Sequence, residues 1–207
     1  MLYGLKIVSL INPYNQIFDT DIFPSFLRSC SPILDRKELV NQCYQIQTSF
    51  PGVENSNTGG YHSPVLSIKD KTTFEKFDQL SGLVDITQIF VKDTLQNRDI
   101  ISNISDLSFW INVNGTHSYN VMHSHGRADL IAIYYVALPE NSGNFVVMRN
   151  DGSQYCNLYE SRQDLLELTI HPKEGRLYLL PGYLWHYVQA NQSSEDRISI
   201  SFNVYLE

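Results

Sequence analysis

The sequence predicts a mainly β domain with some α-helix: a jelly-roll barrel preceded by helices that pack outside it. Three observations lead there. From about residue 106 onward the chain reads as eight short segments rich in β-branched and aromatic residues, separated by turn residues. Upstream, two segments carry apolar residues at helical spacing. No internal repeat or low-complexity tract interrupts the 207 residues. One domain is therefore expected, with residues 1–105 as an N-terminal strand and helical support region and 106–207 as the core.

The elements follow in order. LYGLKIVSLI alternates as an opening strand, and breakers stand around Pro13, Pro24 and Pro32. In ILDRKELVNQCYQIQTSF, the residues Ile33, Leu34, Leu39, Val40, Cys43, Tyr44 and Ile46 recur mostly at helical spacing. PGVENSNTGGYHSP, dense in Gly, Asn, Ser and Pro, reads as a loop. A second helix is expected in DKTTFEKFDQLSGLVDITQIFVKDTL. Phe74, Phe77, Leu80, Leu83, Val84 and Phe90 fall on one core stripe there, with Asp70 or Thr72 as N-cap. The strands are LSFWINVN, SYNVMHSH, LIAIYYVALP, GNFVVMRN, LTIHP, GRLYLLPG, HYVQAN and RISISFNVYL. Closing them on themselves removes exposed edges, and the helical half covers a remaining face or edge.

Composition excludes several classes. A hydrophobic fraction of 43% and an aromatic fraction of 12% describe a folded chain rather than a disordered one. The formal charge of −7 disfavours broad binding to nucleic acid or an anionic membrane. No run approaches a membrane span, and the start lacks a basic segment followed by a long apolar core. Cys30, Cys43 and Cys156 are odd in number with no CxxC spacing, which fits reduced thiols in the cytoplasm.

Chemistry concentrates in the β half. In NVMHSH, His123 and His125 stand two apart, so on one strand they project to one face with Ser124 opposite. PGYLWH supplies His186 after a Pro-Gly turn. Eleven residues on, Arg197, Ser199 and Ser201 share a face in RISISFN. A guanidinium flanked by hydroxyls is a planar fork of donors suited to a carboxylate. Singly, each histidine reads first as a surface or satisfied core residue, and each arginine as a solvated one. The order raises the weight: a histidine clamp, an apolar strand with paired tyrosines, a glycine turn, a third histidine, then Arg-x-Ser.

Residues 112–203 resemble the catalytic core of the iron(II)/2-oxoglutarate-dependent oxygenases, especially a group found in cyanophages and marine bacteria with a prolyl-hydroxylase-like core. In that group N-x-H-x-H leads into a strand reading roughly SGVYYV-x-x-P-x-x-S-G, followed by P-x-x-L-x-H and an ending close to R-I-S-I-S-F-N. Here those read NVMHSH, IAIYYVALPENSG, PGYLWHYV and RISISFN, and SNTGGYHS at 56–63 resembles a SN-x-GGW-x-S segment. The resemblance covers about the last 150 residues.

It implies a double-stranded β-helix with iron(II) at its mouth, chelated by 2-oxoglutarate as co-substrate, and O₂ as oxidant. His123 and His186 match the two histidine ligands, and His125 falls where most such oxygenases place Asp or Glu. Arg197 matches the residue binding the distal carboxylate of 2-oxoglutarate, Ser199 completes an Arg-x-Ser pair, and Tyr135 matches a tyrosine touching the same carboxylate. Asn120 and Asn203 are further site candidates without a derived role. Catalysis would rest on His123, His186 and Arg197. The metal set would be His123, His125 and His186, three neutral ligands where two imidazoles and one carboxylate are usual. Asp129 as a ligand, or only two protein ligands, remain alternatives.

The implied activity is hydroxylation of an unidentified prime substrate, a protein side chain or small metabolite, with release of succinate and CO₂. Two rivals stand beside it: a cupin-like three-histidine metalloenzyme without 2-oxoglutarate, and a non-catalytic jelly-roll binding protein. The expected location is the cytoplasm, or the host cytoplasm for a phage-encoded chain; a homodimer is compatible with the sequence. His62 in GGYHSP is expected at the surface unless it meets substrate. His117 reads as a turn residue and His171 as a strand cap. Trp110 and Tyr134 read as packing, with Trp185 lining a pocket beside His186, and Glu54, Asp70 and Asp85 as solvated surface.

Overall fold

The computed structural model describes residues 25–69, 76–149 and 167–207. The expected strand at 2–11, the caps Asp70 or Thr72, the stripe residue Phe74 and Cys156 lie outside them.

Two helices form where apolar spacing asks for them. Helix α1 is Arg36–Ser49; Asp35 caps it, its side chain accepting from the Glu38 N–H at 3.1 Å. Leu39, Cys43 and Ile46 are buried on one stripe. Ile33 precedes the cap and is 97% exposed, so the stripe begins later than its spacing suggests. Helix α2 is Asp78–Asn97 and buries Leu80, Leu83, Val84, Phe90, Val91 and Leu95. No side chain at its N-cap position satisfies its first turn. Gln42 of α1 does so instead: its Oε1 accepts from the Leu80 N–H while its Nε2 donates to Asp78. That reciprocal clasp explains a buried glutamine between two apolar stripes.

The strands are β1 (Arg28–Cys30), β2 (Asn57–Thr58), β3 (Tyr61–His62), β4 (Leu66–Ser67), β5 (Ile104–Asn114), β6 (Tyr119–His123), β7 (Leu130–Ala137), β8 (Phe145–Met148), β9 (Glu167–Ile170), β10 (Leu177–Pro181), β11 (His186–Val188) and β12 (Arg197–Leu206). They make two antiparallel sheets, one ordered β1-β10-β7-β12-β5-β3 with β4 also on β5, the other β2-β6-β11-β8-β9. All eight strands expected from residue 106 onward are present. The first half adds four strands of two or three residues, β2 and β3 where a loop was expected and β1 and β4 where no element was assigned; each is completed by pairing with a longer strand.

Alternation along β7, β12 and β5 sorts side chains between two cores. Ala132, Tyr134 and Val136, with Ile200, Phe202, Phe109 and Ile111, pack against the helices outside the larger sheet. Ile131, Ile133 and Tyr135 face the space between the sheets with Phe145, Leu180 and Leu184. The helices thus cover the outer face of the larger sheet, leaving its inner face to the smaller one. Among the described residues no helix is long and apolar enough to cross a membrane.

Candidate metal centre

His123 closes β6 and His186 opens β11, and the two are register partners. Directly opposed residues of an antiparallel pair project to one face, and these rings stand 4.4 Å apart between centroids. His125 arrives by another route. Strand β6 ends at His123, so strand alternation does not place His125; a turn through Gly126, with φ of +53°, carries it back. The His125 N–H donates to the Gly182 carbonyl at 3.0 Å, and the His125 carbonyl accepts from the Ala128 N–H at 3.0 Å. A Cβ at position 182 would collide with the Ala128 carbonyl oxygen, so the glycine of the Pro-Gly turn lets the 125–128 turn sit this close. The His125 ring lies 5.2 Å from that of His123 and 5.1 Å from that of His186.

Each ring presents the same nitrogen. His123 Nδ1 faces the Val121 carbonyl at 2.7 Å, His186 Nδ1 the Leu184 carbonyl at 2.9 Å, and His125 Nδ1 the Oδ1 of Asn203 at 2.5 Å. A carbonyl oxygen only accepts, so all three Nδ1 atoms carry the hydrogen and all three Nε2 lone pairs are left free. One ligand atom from each histidine lies within 4.8 Å of the others. Burial depresses all three, His125 to about 4 and His186 to about 3, so the rings are neutral near pH 7. Neutral imidazoles with second nitrogens anchored are the state a divalent metal requires. Asp129 stands apart: it is exposed, accepts from the Leu206 N–H at 2.8 Å, and is not in the cluster.

The cavity beneath the histidines is lined by Trp110, Asn112, Asn120, Tyr135, Arg197 and Ser199 among others. Arg197 is 2% exposed and opposed by no acidic side chain among the described residues. Its Nη1 donates to the carbonyls of Ser142 and Gln189. Gly143 makes that clamp: at φ of +89° a Cβ would lie 2.5 Å from the Gln189 oxygen, so only glycine brings the 142–143 turn against residue 189. Arg197 Nη2 and Tyr135 Oη are buried and find no partner in the chain. Burial raises the Tyr135 phenol pKa, so it stays a neutral donor. Tyr135 and Ser199 are register partners on β7 and β12. Two unpaired donors and a buried cation without counter-ion fit a carboxylate. Asn120 Oδ1 accepts from Asn114 Nδ2 at 3.1 Å on the same wall.

Several residues depart from their sequence expectation. His62, expected at the surface, is 1% exposed in β3 and stacks on Trp110, with centroids 5.5 Å apart. Trp110 lines the cavity and stacks in turn on His125, also at 5.5 Å. Trp185 is 44% exposed and does not line it. His117 is a turn residue with φ of 67°, and His171 follows β9 and meets Asn144. Asn203, without a role from sequence, orients His125. The overlooked signal was on β5: Phe109, Ile111 and Val113 alternate with Trp110, Asn112 and Asn114, a polar set at buried positions.

Residues 108–203 match the family model described as "Putative 2OG-Fe(II) oxygenase". Similar solved structures include a Pseudomonas putida prolyl-4-hydroxylase, 14% identical with a TM-score of 0.59, covering 86% of this chain and 91% of that one. A prolyl hydroxylase from Trichoplax adhaerens, solved with a hypoxia inducible factor peptide fragment, is 16% identical with a TM-score of 0.57 and coverages of 86% and 83%. The non-heme α-ketoglutarate-dependent carbocyclase SnoK from nogalamycin biosynthesis is 13% identical, at 0.59, with 87% and 79%. Identities this low establish the shared fold alone. At sequence level no curated protein matches the chain.

Proposed function

We propose that this chain, whose residues 108–203 match the 2OG-Fe(II) oxygenase family model, is an iron(II)- and 2-oxoglutarate-dependent dioxygenase hydroxylating a protein side chain or small metabolite. The observation that carries the reading is Arg197, a buried guanidinium with one nitrogen unpaired beside an unpaired tyrosine hydroxyl. An uncompensated buried cation is costly, and a dicarboxylate co-substrate supplies the missing charge.

His123, His125 and His186 hold the metal through Nε2. Their Nδ1–H bonds to Val121, Asn203 and Leu184 fix ring orientation and keep each lone pair directed inward. Arg197 Nη2, Tyr135 Oη and Ser199 take the distal carboxylate of 2-oxoglutarate, while the Ser142 and Gln189 carbonyls keep the guanidinium from turning away. Trp110 walls the histidine cluster on one side, limiting water at the reacting position. Bound iron and 2-oxoglutarate supply the chemistry, in which O₂ converts the co-substrate to succinate and CO₂ and a substrate C–H becomes C–OH.

One observation favours a second reading: the cluster holds no carboxylate. Three neutral histidines also suit a cupin-like metalloenzyme that needs no co-substrate. Anaerobic addition of iron(II) and then 2-oxoglutarate separates the two. The proposed function predicts a weak visible charge-transfer band that requires both, and succinate on admission of air. Iron binding with no response to 2-oxoglutarate would establish the second reading in its place.

A further inference from the structure

The buried polar atoms without a partner divide by chemistry across the larger sheet. On the cavity side of β7 and β12 they are donors, Tyr135 Oη and Arg197 Nη2, Tyr134 Oη lying on the helix side. On β5 and β3 they are acceptors: Asn112 Oδ1, Asn114 Oδ1 and His62 Nε2. His62 Nδ1 faces the Ser63 carbonyl at 2.7 Å and so carries the hydrogen, leaving Nε2 as a bare lone pair. Burial lowers the His62 pKa, which keeps that lone pair available near neutral pH.

His62 and Asn112 are register partners, so their side chains emerge side by side on one face of the sheet. That face is the cavity face, because Asn112 lines the cavity and Trp110, two residues earlier on β5, packs flat between His62 and His125. His62 is 1% exposed and Asn112 4%. Two buried acceptors side by side leave a shared need for a hydrogen-bond donor.

2-Oxoglutarate cannot meet that need. As a dianion it carries five oxygen acceptors and no donor, so it satisfies Arg197 and Tyr135 and leaves the β5–β3 wall as it was. We propose that His62 and Asn112 form a subsite for the prime substrate that recognises an N–H or O–H donor carried beside the carbon to be oxidised. This rests on the oxygenase reading for the identity of the reaction, but the subsite itself is a property of the fold. Trp110 fills the space between His62 and His125, its ring centroid 5.5 Å from each, so the His62–Asn112 pair meets the cavity at Asn112. Substrates without such a donor are rejected because the two acceptors stay buried and unpaired.

The test uses small amides that differ only in the donor. N-Methylacetamide carries one N–H; N,N-dimethylacetamide carries none. Saturation-transfer NMR on the full chain, first metal-free and then with zinc and 2-oxoglutarate, reads their binding directly. The expected result is binding of N-methylacetamide at least tenfold tighter than N,N-dimethylacetamide. That preference is lost in His62→Phe, which keeps the stack on Trp110, and in Asn112→Leu, with 2-oxoglutarate affinity within about twofold of wild type in the variant that folds. Ethylene glycol against 1,2-dimethoxyethane repeats the comparison for O–H. Equal binding within each pair, no binding of any probe, or a preference that survives in a folded variant overturns the proposal. Because the metal-free arm needs neither iron nor co-substrate, failure of the oxygenase reading would leave this result standing.

Discussion

Tyr134 and Tyr135 are neighbours in β7, yet they belong to different parts of the molecule. Tyr134 points to the helices and joins the larger apolar core; Tyr135 points between the sheets toward Arg197 and the histidines. The same division runs along β12, where Ile198, Ile200, Phe202 and Val204 are buried on the helix side while Arg197, Ser199 and Ser201 line the cavity. One set of strands therefore carries stability on one face and chemistry on the other. The helix-side face is built mainly from apolar groups satisfied by packing, with the buried Tyr134 hydroxyl as an unpaired exception. The cavity face concentrates polar groups that packing leaves unsatisfied, and it is rigid because the opposite face is well packed.

If this division is real, substitutions on the two faces should separate stability from binding. Phe202→Ala removes a fully buried ring that contacts Phe109 at 5.8 Å between centroids. It should cost about 3–5 kcal/mol of unfolding free energy, read by urea denaturation, with metal affinity of the folded fraction unchanged. Arg197→Ala should weaken 2-oxoglutarate binding by about 100-fold while changing iron binding less than about threefold in the same titration. An equal loss of both would mean that the two faces are not independent.

Asn203→Leu is the finer probe, because it removes the acceptor for His125 Nδ1 and otherwise only a long 3.5 Å bond from Asn203 Nδ2 to the Tyr205 hydroxyl. Loss of such an outer partner should weaken metal binding by about 10–100-fold, measured by competition with a chromogenic chelator, with little change in thermal midpoint. Asn203→Asp should move affinity the other way, since a carboxylate there increases ligand basicity.

A further prediction concerns pH dependence. His125 and His186 titrate near 4 and 3 in the folded, metal-free chain, with burial as the main cause, against about 6.5 when unfolded. Below 6.5 the unfolded state binds more protons, so stability falls as pH drops from about 6.5 toward 4. Thermal scans of metal-free protein between pH 7 and 4 should show that decline, shallower in His186→Phe.

Much of this arrangement was legible in the residues. The eight strands of the second half were legible because β-branched and aromatic residues between turn residues mark their segments, the longest, β5, β7 and β12, most clearly, and His123, His186 and Arg197 were singled out by their order along them. Strands β1 to β4 were not, since two or three residues show no period and owe their conformation to a partner far along the chain. His125 was placed correctly beside His123 for an incomplete reason: the turn at Gly126 and the Gly182 carbonyl return it, which no alternation rule describes. His62 was misjudged because a Gly-rich stretch reads as solvent-exposed, whereas pairing to Val113 and Asn112 folds that stretch onto the barrel.

Three imidazole nitrogens with no oxygen among them also bear on which metal the chain would carry when expressed. Such a set is the donor composition of catalytic zinc sites, and divalent affinities rise from iron toward copper, with zinc above iron in ordinary nitrogen environments. Replacing the usual carboxylate by His125 therefore removes the hard oxygen donor that helps a site keep iron. Protein from zinc-rich medium would emerge loaded with a metal that cannot cycle its oxidation state, and the proposed oxygenase activity would depend on cellular metal supply as much as on the chain's own residues.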